Sequence, residues 1–358
     1  MYKNIFIFAV FFWTSISYAQ KTQDKFDFKL HNLRLEARVD FEYKAYNDTT
    51  PANAGFAGKY MNFVLDGQLT ERCFFHYRQR LNIANASFSS FFRGCDWLYL
   101  EYFFGKHFSV SAGKQVVAIG GFEYDFAPID VFFWSNFWEN VVCYEMGASI
   151  SYHNLKKNHT LTFQACNSPF VSRAFENLFA YNLIWYGNMK FFHTIYSLNM
   201  IEYEKGKFIN YISLGNRFDI KDFSFYIDFQ NRATDKQVFL FKDFTIVGQA
   251  EYNFKQKGFL YLKGGYDVNK AQPKTTPYAE AFDRFVLPGV DYFYYGIGGG
   301  FYPLKERKDI RLHAFFAVNH TDNISYQSNL GLTWKMDFLS LRKRKAENKD
   351  NNIDSSIE

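Results

Sequence analysis

The chain has 358 residues, 22% of them aromatic and 22% charged, with a formal net charge of +5 and a mean hydropathy of −0.29. That length is long for one soluble core but ordinary for one closed barrel. Removing Lys3 with a leader and the polar tail after Phe338, each worth one positive charge, leaves about +3 for the body. This balance is too mild for nucleic-acid binding, and no basic patch carries interleaved stacking residues.

Residues 1–19 read as a signal peptide. Lys3 supplies the positive start, residues 5–13 form a short apolar run, and Ser17-Tyr18-Ala19 places small residues before Gln20. The run is too short to span a bilayer as a helix. No Cys follows the cleavage site, so a lipoprotein anchor is not expected. Residues 20–30 are expected as a short arm, 31–338 as the body, and 339–358 as a disordered polar tail on the periplasmic side.

The body opens on a strict alternation. Leu33, Leu35, Ala37, Val39, Phe41, Tyr43 and Ala45 are apolar; Arg34, Glu36, Arg38, Asp40, Glu42 and Lys44, between them, are all charged. A period of two puts these sets on opposite faces of a strand. In a soluble sandwich the ionic face would meet water and the apolar face a core. In an outer-membrane barrel the apolar face meets lipid and the ionic face a wet lumen.

The period recurs along the chain. Met61, Phe63, Leu65 and Leu69 make an outward row; Phe75, Tyr77, Leu81 and Ile83 make the next, with His76, Arg78 and Arg80 opposite. Residues 176–218 alternate less regularly, and the pattern sharpens again from Phe223 to Phe338. The count is about sixteen strands, an even number, as bacterial barrels have. Short charged turns sit at residues 69–73, 104–107, 152–159, 186–190, 218–222, 254–258 and 302–309. The connectors between them are mostly longer: 46–58, 84–96, 118–142, 167–176, 231–243 and 269–289, with short 203–207 and intermediate 320–326. A sandwich has no reason to keep its long loops at one end; an outer-membrane barrel does. The expected fold is an all-β transmembrane antiparallel barrel, because only a closed sheet can cross lipid with strands.

Residues 118–142 form the longest loop, with Glu123, Asp125, Asp130 and Glu139 set among eight aromatic residues. So apolar a loop is costly to expose. Folded into the lumen, it would cover its rings and leave carboxylates on the permeation path, with Gly120-Gly121 permitting the entry bend. Packing against neighbouring outer loops is the alternative. Lys114 falls on the apolar parity of its strand, so either a bulge turns it inward or it reaches along the surface to the headgroups.

Five stretches carry a family resemblance: Ala112-Gly113-Lys114-Gln115, Gly120-Gly121-Phe122-Glu123-Tyr124-Asp125, Ala127-Pro128-Ile129-Asp130-Val131, Asn167-Ser168-Pro169-Phe170, and the aromatic last strand ending at Phe338. Together they resemble the phosphate-selective porin O/P family of Bacteroidetes-type outer membranes. The resemblance implies sixteen strands, a homotrimer, and residues 118–142 as an inward-folded constriction loop. The chain departs from the family name, since a phosphate path needs a dense run of Lys and Arg and this loop is acidic. Glu123, Asp125 and Asp130 facing Arg34, Arg38, Lys44, Arg78 and Arg80 is instead the arrangement of a general diffusion pore with a transverse field.

The first reading is therefore a porin for passive passage of ions and small hydrophilic solutes, without a cofactor. An anion- or phosphate-selective pore is second, and a structural or enzymatic barrel third. No HExxH, GxSxG elbow or phosphate-cradling loop is present, and His153 and His159 read as surface histidines beside a turn. Cys73, Cys95, Cys143 and Cys166 have no metal-ligand spacing. Cys143 and Cys166 share a parity that would allow a disulfide, with free thiols the preferred reading.

Overall fold

A computed structural model describes residues 25–82, 92–170, 177–235, 239–255, 257–271, 283–304, 307–321 and 323–339. The expected signal peptide and nearly all of the polar tail lie outside the described residues.

Sixteen antiparallel strands follow one another around a closed barrel, and the last pairs with the first. They are β1 (Phe26–Tyr46), β2 (Asn53–Thr70), β3 (Cys73–Arg80), β4 (Cys95–Phe104), β5 (Phe108–Val116), β6 (Tyr144–His153), β7 (His159–Asn167) and β8 (Phe179–Met189). The second half comprises β9 (Phe192–Glu204), β10 (Lys207–Ile220), β11 (Phe223–Thr234), β12 (Asp243–Asn253), β13 (Gly258–Asn269), β14 (Asp291–Phe301), β15 (Ile310–His320) and β16 (Ile324–Asp337). Closure runs in unbroken register from Arg34 opposite Asp337 to Tyr46 opposite Ser325, so the sheet keeps no free edge.

The alternation of β1 has the expected outcome. Val39, Phe41 and Tyr43 are exposed on the outside, while Glu36, Arg38 and Asp40 are buried inside. The same outward row continues through Leu98, Leu100, Ile150, Leu198, Leu262 and Leu330, all exposed. Large apolar side chains turned outward around a whole ring match a lipid-facing wall, and the inward polar rows supply the lumen.

All seven short turns fall at one end. The tightest, such as Lys221-Asp222 between β10 and β11, need a left-handed residue, and Lys221 takes it (φ 56°). The opposite end carries the long connectors, with one difference from the expected boundaries. β2 begins at Asn53, not after Gly58, so only residues 47–52 join β1 to β2. The two longest strands pair as far as Lys44 opposite Asn53, and their ladder replaces the loop. Lys114 keeps the outward parity, in register with Leu98 and Met146. Its ammonium reaches the carbonyl of Phe92 at 2.9 Å, so it extends along the surface rather than turning in through a bulge.

Candidate functional site: a loop folded into the lumen

Beyond β5 the chain leaves the wall and enters the barrel. It carries two short helical turns, α1 (Phe122–Asp125) and α2 (Asn136–Asn140), with a 3-10 turn at Pro128–Asp130 between them. A segment that leaves a sheet loses its ladder partners, and buried backbone groups must find others. Here the barrel wall provides them. The Ala118 amide donates to Gln164 Oε1 (2.8 Å) and the Gly120 amide to Ser197 Oγ (2.8 Å). Asn199 and Gln230 donate to the Ala118 and Gly120 carbonyls at 2.8 and 3.0 Å. The Asp228 carboxylate accepts from both the Phe122 and Glu123 amides, at 2.9 and 2.8 Å. Gly120 lies flat against β9: a Cβ there would come within 2.8 Å of the Ile195 carbonyl. Gly121 follows with φ 119°, so the glycine pair does permit the entry bend.

Further along, charges lock the loop to β13. Glu123, 3% exposed, meets Lys263 Nζ at 2.6 Å. The other donors to its carboxylate are the Ser135 amide (3.1 Å), the Ser135 hydroxyl and the Tyr294 hydroxyl (3.3 Å). Lys263 also donates to the Phe133 carbonyl at 2.6 Å. Ser135 caps α2 by accepting from the Trp138 amide, and Asp267 takes the Asn136 amide at 2.9 Å.

Two to four strands further round the wall, on β15, β16 and β1, further anchors hold the loop. Arg38, 1% exposed, pairs with Asp40 at 2.7 Å and donates to the Val131 carbonyl at 2.7 Å. Asp40 also pairs with His313 at 2.9 Å. Asp130 receives Arg311 at 2.8 Å and Lys335 at 2.9 Å. Between these anchors Phe132 and Phe133 pack with Tyr261, Tyr294 and Phe315. One loop thereby touches β7, β9, β11, β13, β14, β15, β16 and β1.

A second outer segment covers it. Asp283, in the connector between β13 and β14, pairs with Arg232 of β11 at 2.8 Å and accepts from Tyr211 at 2.9 Å. Arg232 also holds Asp243 at 2.8 Å. Phe285 then packs on Phe137 and Phe170. No spacing in the sequence pointed to this cluster, because its members lie on three separated stretches. Lys263, Asp228 and Asp267 were also missed. Their signal was a charge of each sign four residues apart on the inward parity of one strand, Lys263 with Asp267 on β13 and Asp228 with Arg232 on β11.

The residues expected to line the path divide into three groups. Glu123, Arg38 and Arg78 are buried and paired, so they hold structure rather than stand in an open channel. Arg78 shares Asp96 with Arg80, at 2.9 and 2.8 Å, and stacks over Trp97 at 4.1 Å. Arg34, Arg80 and Asp130 are about one-third exposed. Asp125 and Lys44 are exposed, and Lys44 lies over the Tyr46 ring. The expected acidic loop facing that basic wall is replaced by separate ion pairs. Arg34, Arg38, Arg78 and Arg80 pair with carboxylates of the wall itself, and the loop, pressed onto the wall, pairs Glu123 and Asp130 with Lys263, Arg311 and Lys335.

Inward side chains of β4 and β6 tell a different story. Tyr99, Glu101, Ser149 and Ser151 are all half-buried, against fully buried Asn182, Ser213 and Gln230 on β8, β10 and β11. The open part of the lumen therefore runs along β4 to β6.

Two loop carboxylates have displaced acidities. Asp125 keeps contact with solvent, but the protein atoms packed around it partly desolvate its carboxyl and raise its pKa. Burial also works against the charged form of Asp130, but Lys335 and Arg311 outweigh it and hold the group below the ordinary range. The four cysteines are free thiols, and among the described residues no cluster could hold a metal ion.

Residues 32–190 match the family model of phosphate-selective porin O and P. No curated protein matches the chain. Among solved structures, the anion-selective porin from Comamonas acidovorans superposes with a TM-score of 0.61 at 9% identity, over 87% of this chain and 100% of that one. OmpF of Salmonella typhi, solved with daunomycin, gives 0.57 at 11% identity, over 88% and 99%. The trimer form of OmpT of Vibrio cholerae gives 0.53 at 10%, over 86% and 99%. At these identities the likeness concerns the fold.

Proposed function

We propose that this chain is a member of the phosphate-selective porin O and P family, whose model matches its residues 32–190, and that it is an outer-membrane channel for passive diffusion of ions and small hydrophilic solutes in a Gram-negative-type bacterium. The observation that carries this reading is the loop after β5, held inside the lumen by wall side chains from β7 round to β1 while inward residues of β4 and β6, such as Tyr99, Glu101, Ser149 and Ser151, stay partly exposed. A loop fixed in this way narrows a barrel without filling it. Residues 118–142 act as the constriction, Asp125, Asp130, Arg34 and Arg80 contribute charge to the water-filled part, and three copies assemble as a trimer.

A second reading, a mild anion preference, has its own support. Arg78 and Arg80 share one carboxylate, Asp96, and Arg311 and Lys335 share another, Asp130. Each cluster keeps one uncompensated positive charge, against the exposed carboxylates of Asp125 and Glu139 on the loop. Anion passage relies on such fixed cations.

Planar-bilayer recording of the folded protein tests both readings. Stable ohmic steps with a reversal potential near zero in a KCl gradient support general diffusion. A reversal potential on the chloride side supports the anion preference. No conductance from correctly folded protein removes the channel reading.

A further inference from the structure

Below the folded-in loop, on the side of the short turns, the lumen wall has a cavity of about 260 Å³ bounded by the loop, β12, β13, β15 and the turn after β14. By liquid volume it holds roughly nine waters, the size of one small ring-shaped solute. Its floor is aromatic. Phe259 and Tyr302 are half-exposed there, with ring centroids 6.4 Å apart. Phe259 stacks in turn on Tyr261 at 6.2 Å, and Tyr261 on Phe132 at 5.9 Å. Flat rings left partly bare beside water offer a stacking face.

The opposite edge is polar and already aligned. Glu251 accepts from Asn253 Nδ2 at 3.0 Å and from Gln249 Nε2 at 3.3 Å, which fixes the carboxylate and leaves further lone pairs open. Tyr261 is 4% exposed, lines the cavity, and its hydroxyl has no hydrogen-bond partner among the described residues. That hydroxyl is buried over Gly298 of β14, so Tyr261 offers the cavity its ring, and Glu251 is the polar group that faces a guest. The charged lining residues are Asp130, Glu251, Lys263 and Arg311, two of each sign. A balanced set does not select an ion. An apolar floor with a few convergent polar groups is the usual make-up of a small-molecule site.

We infer that this cavity is a subsite for a neutral, ring-shaped polyhydroxylated solute of the pyranose type, whose C–H face stacks on Phe259 and Tyr302 while its hydroxyls bond to Glu251. The inference rests on the lumen being wet, and so on the channel reading. It gives that channel a weak affinity for uncharged sugars.

The test is equilibrium binding of methyl β-D-glucopyranoside to the full folded barrel, followed by saturation-transfer NMR in a detergent without a sugar headgroup. D-mannitol serves as an open-chain control with hydroxyls and no ring face, and inorganic phosphate as an ionic one. The expected result is saturable transfer to the glucoside only, weakened at least about five-fold by Phe259→Leu and by Glu251→Gln. Heat-modifiable gel mobility verifies that each variant is folded. Equal signals for glucoside and mannitol, displacement by phosphate, or binding unchanged in both variants would overturn the site. A barrel that conducts but does not bind loses the subsite and keeps the channel; one that binds but does not conduct does the reverse.

Discussion

Glu123 of the folded-in loop and Lys263 of β13 meet at 2.6 Å with both side chains almost removed from water. Replacing one partner strands the other charge. That costs about 3 to 5 kcal/mol locally, whereas replacing both with apolar groups of similar volume is far milder. The barrel ladders do not depend on this pair, so the effect falls on the loop. Lys263→Met is expected to give larger and noisier conductance steps. Glu123→Leu combined with Lys263→Met is expected to return toward wild type, and single-channel recording distinguishes the two.

Arg38 holds the other end of the loop through the Val131 carbonyl. Arg38→Met leaves Asp40 with His313 alone and removes the donor to the loop. The expected outcome is faster proteolytic cleavage within residues 126–134, with heat-modifiable mobility retained. Equal cleavage rates in variant and wild type would show that the loop stays put without this arginine.

The pH dependence separates two carboxylates. Asp130 has a lowered pKa because Lys335 and Arg311 overcome the effect of burial. Its contribution is present above the unfolded pKa of about 3.9 and is lost as pH falls through the lower folded value. The constriction should therefore hold from neutral pH down to about 4 and loosen only below, while Asp130→Asn loosens it already at neutral pH. Noise in the open-channel current is the readout.

Asp125 is raised instead, so it loses its charge above the pH at which an ordinary aspartate would. As pH falls toward the ordinary aspartate value of about 3.9 the reversal potential should move toward anion preference. Asp125→Asn should show that shift at every pH and no further change over this range. A wild-type shift that survives in Asp125→Asn would assign it to another group.

All four cysteines are free, and burial pushes the Cys143 thiol up to about 11. Reductant should leave heat-modifiable mobility unchanged. Maleimide should label the native protein slowly at pH 7.5, with fully buried Cys95 and Cys166 protected until it unfolds.

The barrel was legible in the sequence because its cause is local. β1 alternates without a single exception over thirteen residues, from Leu33 to Ala45, and most of the short turns are bounded by alternating rows. The inward fold of residues 118–142 was legible too, since eight aromatic side chains in one loop need cover. How the loop is held was not. Glu123 pairs with a lysine 140 positions later, and Asp283 with an arginine 51 positions earlier; no periodicity encodes either distance. The expectation of carboxylates on an open path failed for Glu123 for the same reason. A charge pattern gives the sign of a segment but not which opposite charge it will touch.

The loop contacts only part of the ring, and this makes the narrowest level of the channel off-axis. A solute there meets packed loop on one flank and, on the other, the hydroxyl-rich strip of Ser111, Ser149, Ser151 and Thr162, whose side chains are bonded to one another at 2.6 and 2.8 Å. It gives up hydration on one side while the strip replaces it with fixed hydroxyls. Resistance to passage is then governed by how well a single serine-lined seam wets, and a methyl group placed along that seam would throttle flow that the same methyl on the far wall would leave untouched.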